Sequence, residues 1–91
     1  MGIPEFGILA DEAIEFFNGI KNKNFMQHEL SIEKKLHPDG EWMMFLTITS
    51  SYPETGYTSP CCFYVPQEKW SDKEALFRGI EYCIDWATEM K

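Results

Sequence analysis

The chain has 91 residues, 44% of them hydrophobic and 15% aromatic, with a formal net charge of −7. That length holds one domain, and the aromatic content excludes a disordered acidic tail. Fifteen acidic against eight basic residues make it a poor ligand for phosphate backbones or for an anionic membrane surface.

Cysteine usage points to a compartment. There are three, Cys61, Cys62 and Cys83. An odd count with an adjacent pair is not a secreted disulfide framework, and neighbours on a strand point to opposite faces. Reduced thiols in a cytoplasmic protein are expected. No apolar run approaches the ~20 residues that span a bilayer, and no leader pattern is recognisable.

Residues 1–6, Met-Gly-Ile-Pro-Glu-Phe, have no periodicity, and Glu-Phe is the dipeptide a common restriction site encodes in frame. They read as a cloning scar or a disordered arm, leaving 7–91 as the single domain, with a native arm docking Ile3 and Phe6 on the core as the alternative. From Ile8 to Lys21, the apolar positions Leu9, Ala13, Phe16, Phe17 and Ile20 fall at spacings of four, three, one and three. That is one stripe of an amphipathic helix. Asp11, Glu12 and Glu15 lie near its positive end, and Lys21 and Lys23 near its negative end.

Residues 26–36 then alternate. Met26, His28, Leu30, Ile32 and Leu36 share one parity, with Lys34 the exception; Gln27, Glu29, Ser31, Glu33 and Lys35 share the other. Period two with one polar face predicts a half-buried strand. His37-Pro38-Asp39-Gly40 is a turn sequence. Trp42–Thr49 is a second strand whose two faces are both apolar or β-forming, the mark of a central strand. After a loop over 50–56, the third strand runs from Tyr57 to Val65 and is stopped by Pro66. Pro60 makes it an edge strand or a bulged one. Ser71-Asp72-Lys73-Glu74 has the form of a capping box. Behind it Leu76, Ile80, Cys83, Ala87 and Met90 form a second helical stripe, widened by Phe77, Ile84 and Trp86. Glu74, Arg78, Glu81, Asp85 and Glu89 make the outer, mostly acidic one.

Two amphipathic helices and a meander have one economical arrangement, an α+β fold of two layers in the order α-β-β-β-α. The three-stranded antiparallel sheet carries both helices on one face. Leu30, Ile32, Trp42, Leu46 and Ile48 then face the helices, with Phe63 and Val65 as the inward pair of the third strand. The two parities of that strand are alike in apolarity, and the choice between them decides what the other face shows. With this choice, the open face presents Met43, Phe45, Thr47, Cys62 and Tyr64 beside the charged first strand. Such a patch suits docking.

Specific chemistry is not expected. Cys61-Cys62 lacks the gap that lets two thiolates reach one ion, and His28 and His37 are isolated, so no metal or cofactor site is assigned. His28 reads as a core-edge histidine bonded to backbone. No nucleophile stands beside a base, no carboxylate pair is set apart from the solvent face, and the glycines are scattered.

The order helix, three strands, helix resembles that of double-stranded-RNA-binding domains. That resemblance implies a basic start to the second helix gripping phosphates. Here that place reads Ser71-Asp72-Lys73-Glu74-Ala75, with only Lys73 matching, and the first turn contributes His37.

The function expected is a small acidic non-catalytic interaction module, adaptor-like or inhibitor-like. It would bind a protein partner or form a homodimer through the open face, an edge strand or the acidic helix stripe. The residues assigned are Met43, Phe45, Cys62, Tyr64, Glu81 and Asp85. Two alternatives stand beside it: a small-molecule pocket between helices and sheet lined by Trp42, Trp70, Tyr82 and Trp86, and a divergent double-stranded-RNA binder.

Overall fold

The computed structural model describes residues 5–22 and 27–89, without the side chains of 88 and 89. Ile3, Lys23, Met26 and Met90 and the Glu89 side chain, named above, lie outside the described residues. The elements are α1 (Phe6–Ile20), β1 (Gln27–Leu36), β2 (Trp42–Ser51), β3 (Thr58–Pro66), a single 3-10 turn (Gln67–Lys69) and α2 (Lys73–Glu89).

The sheet has the order β1-β2-β3 and is antiparallel throughout. Register runs unbroken from Gln27↔Ser51 to Leu36↔Trp42 and from Met43↔Pro66 to Ser51↔Thr58. Pro60 is therefore accommodated because β3 is an edge strand, without a bulge, and Pro66 closes the strand from inside it. The first hairpin turns on Gly40 at φ 92°, whose N–H donates to the His37 carbonyl at 2.8 Å. Only glycine takes that φ at no steric cost. The second turns on Gly56 at φ 73°.

Because side chains alternate along a strand, β2 splits cleanly. Met44, Leu46, Ile48 and Ser50 are at most 1% exposed. They share one core with Leu9, Ala13 and Phe17 of α1 and with Leu76, Ile80, Cys83 and Ile84 of α2, so both helices cover the same face. Val65 and Ser59 are buried on β3 and His28 on β1, while Leu30, Ile32, Cys61 and Phe63 are half-buried. The third strand's inward parity is thus the one containing Phe63 and Val65. Cover fades toward the first turn, where Lys34, Leu36 and Trp42 are exposed. There the Lys34 ammonium sits 4.6 Å from the Trp42 ring centroid.

Helix boundaries shift at two points. α1 begins at Phe6, whose ring packs 5.8 Å from that of Trp70. α2 is capped by Asp72: its Oδ1 accepts from the Ala75 N–H at 3.3 Å. The Ser71 capping box does not form, because the Trp70 and Asp72 N–H groups still bond to the Gln67 and Lys69 carbonyls and continue the preceding turn. Glu74 instead pairs with Arg78 one turn on. Gly79 lies against Phe63; a Cβ there would fall within 2.7 Å of that ring, so α2 approaches β3 where glycine permits it. Among the described residues, no helix is long and apolar enough to cross a membrane.

Candidate interaction surface

The face of the sheet away from the helices can be laid out from the register alone. Its rows are Lys35–Met43–Pro66, Glu33–Phe45–Tyr64, Ser31–Thr47–Cys62 and Glu29–Thr49–Pro60. Met43 and Phe45 therefore sit at its centre with Tyr64 and Pro66 to one side and the charges of β1 to the other. Tyr64 is 58% exposed, Cys62 is exposed, and Met43, Phe45 and Thr47 are half-buried between neighbouring strands.

The fringe is built as well. The Lys35 ammonium reaches diagonally to 4.4 Å from the Phe45 ring centroid, within cation–π range. It also lies 3.6 Å from the Glu33 carboxylate. The Thr47 hydroxyl and the Cys62 thiol are in contact at 3.5 Å. The sheet thus brings Met43, Phe45, Cys62 and Tyr64 onto one surface. Glu81 and Asp85 stand apart on α2, Glu81 exposed and Asp85 half-buried.

The aromatic set does not converge. Trp70 is 3% exposed, and its indole N–H donates to the Val65 carbonyl at 2.9 Å, so it closes the core. Tyr82 is 65% exposed on α2, Trp42 opens β2 at 37%, and Trp86 is half-buried. A cavity between helices and sheet would hold all four inside. What the helical layer does show is a shallow groove between α1 and α2, about 590 Å³, lined by Glu12, Glu15, Phe16, Gly19, Ile20, Lys73 and Phe77. Phe16 and Phe77 stack across it at 4.5 Å, and Lys73 bonds Glu12 at 2.9 Å. In the sequence these positions read as the margins of two separate stripes.

Titratable side chains inside the fold are held quiet. His28 Nδ1 and Ser50 Oγ are 2.7 Å apart, and burial lowers the histidine pKa. The Cys83 thiol contacts Cys61 Sγ at 2.7 Å; burial first, then that neighbour, push its pKa up. At neutral pH these shifts keep the Cys83 thiol protonated and the His28 imidazole uncharged. Among the described residues, no group of His, Cys, Asp and Glu gathers into a metal site. No family model, curated protein or solved structure matches the chain.

Proposed function

We propose that the chain is a small acidic non-catalytic interaction module, adaptor-like or inhibitor-like, that docks a protein partner on its open sheet face. The observation that carries this reading is the Met43, Phe45, Tyr64 and Pro66 patch on the side of the sheet away from both helices. Monomeric domains solvate such a face, and a central apolar patch rimmed by charges suits a protein surface. Glu33 and Lys35 border it, so a partner would meet both signs of charge at the rim. The three thiols, none of them in a disulfide, fit a reducing, cytoplasmic compartment.

The RNA-binding alternative has less support. Its one matching cation, Lys73, is already paired with Glu12, and Asp72 and Glu74 flank it at the helix start where phosphate would bind.

The test is Phe45→Glu. It should abolish capture of the partner while the circular dichroism and melting of the isolated chain stay close to wild type. Charge reversal of Glu81 and Asp85 should leave capture unchanged. If capture survives Phe45→Glu but falls with the helix charges, the acidic stripe is the docking site.

A further inference from the structure

We propose that the free edge of β1 pairs with β1 of a second copy, antiparallel about a two-fold axis at Ile32. The surface involved is the outer edge of β1, whose Glu29 and Lys35 side chains lie at the margin of the same open face as Phe45. Among the described residues β1 pairs with β2 alone, over the whole of Gln27–Leu36, with neither bulge nor proline nor glycine. From Leu30 to Leu36 its other edge therefore presents a row of N–H and C=O groups, a template for a further strand. The opposite edge of the sheet is interrupted: Pro60 and Pro66 of β3 have no N–H to offer.

What identifies the partner as a second copy is the charge pattern. In antiparallel pairing, residues opposite each other share a face, so registers differ in steps of two. With the axis at Ile32, Glu29 stands opposite Lys35 of the second copy, and this pair occurs twice. Glu33 then faces Ser31, Ile32 faces its own copy, Leu30 faces Lys34, and His28 faces Leu36. Moving the axis to Ser31 sets Glu29 against Glu33 twice. Moving it to Glu33 sets Glu33 against itself. Opposite charges across a pair of strands stabilise and like charges destabilise, so of these three registers the one centred on Ile32 is favoured. Leu30 and Ile32, only half-buried beneath α1, gain cover from the second copy at the same time. The outcome is one continuous sheet with three strands from each protomer, and the two Phe45 patches lie on the same side of it.

The experiment is sedimentation velocity on the full chain across a concentration series. Wild type should show a monomer–dimer equilibrium. E29K and K35E should each raise the dissociation constant at least about tenfold, because both symmetric pairs become like-charged. The double variant E29K/K35E exchanges the signs and should restore dimerisation to near wild type. Phe45→Glu places a carboxylate beside Lys35 but leaves both Glu29–Lys35 pairs opposite in sign, so it should shift the equilibrium far less than either reversal. Circular dichroism confirms that each variant is folded. A wild type that stays monomeric at the highest concentration overturns the proposal, as does a dimer indifferent to both single reversals. A dimer lost with Phe45→Glu but not with E29K places self-association on the open face and also overturns it. Partner capture that persists in E29K but is lost in Phe45→Glu leaves the docking function standing, whichever way the dimer falls.

Discussion

His28 lies opposite Ser50 on the covered face of the sheet, and its pKa is below the ordinary 6.5 because burial disfavours the imidazolium. The unfolded chain protonates this residue near 6.5, while the folded chain waits for a lower pH. Between the two values the unfolded state binds more protons, so stability rises with pH there. This contribution is therefore complete above pH 6.5 and is lost as pH falls from that value toward the folded pKa. Asp39, held down by the Glu41 N–H, acts only below its ordinary 3.8. The urea midpoint of wild type should accordingly drop between about pH 7.5 and pH 5.5. In His28→Gln most of that slope should vanish; equal slopes would assign the effect elsewhere. The thiols differ as sharply. Cys62 is exposed, whereas Cys83 is 1% exposed with its pKa raised by burial. Thiolate is the reactive form, so a disulfide reagent should modify Cys62 first in the native protein and all three cysteines in denaturant. Cys62→Ser should remove the fast phase; early labelling of Cys83 in the native state would contradict the packing described.

At the scale of elements, the start of α2 separates two adjacent residues that sequence alone cannot. Asp72 Oδ1 holds the Ala75 N–H, and Ser71 is exposed. Asp72→Ala should cost about 0.5–2 kcal/mol, the usual loss for a cap. Ser71→Ala should fall within about 0.5 kcal/mol of wild type. The reverse ranking by chemical denaturation would restore the capping box. The sequence misleads here because Ser-x-x-Glu fits the box by pattern, while the turn through Gln67–Lys69 decides where the helix can begin. Alternation in β1, the doubly apolar β2 and the two helical stripes were all legible, since each rests on a period that burial enforces. The parity of β3 was not, because Cys61, Cys62, Phe63 and Tyr64 put comparable apolar bulk on both faces. Phe6 stood only as the alternative, a docked arm residue, because it lies before the first helical repeat, and the structure packs it against the core. The open face was legible once parity was chosen. The Lys35–Phe45 contact needed the register, and the groove at Phe16 and Phe77 needed the two helices side by side.

At the scale of the whole molecule, the two-layer arrangement makes neighbouring residues of β2 serve opposite purposes. Leu46 is 0% exposed between sheet and helices, while Phe45 is half-buried on the other side with Tyr64 opposite and Lys35 above it. Leu46→Ala removes packed methyl groups and leaves a cavity, so it should cost about 2–5 kcal/mol. Phe45→Ala gives up a cross-strand pair of about 0.2–1 kcal/mol and an exposed cation–π contact of about 0.5–1 kcal/mol, with no enclosed cavity. The larger residue should thus be the cheaper to truncate, in an isolated domain whose total stability is about 5–15 kcal/mol. Binding should rank them the other way. Phe45→Ala should weaken partner capture, and Leu46→Ala should leave the affinity of the folded fraction intact, because only Phe45 reaches the open surface. Denaturant titration of both variants, paired with a binding assay on the same samples, separates the two orders. Equal stability losses would mean that the Phe45 side is covered in the free chain, and the sheet would then have no face left to offer a partner.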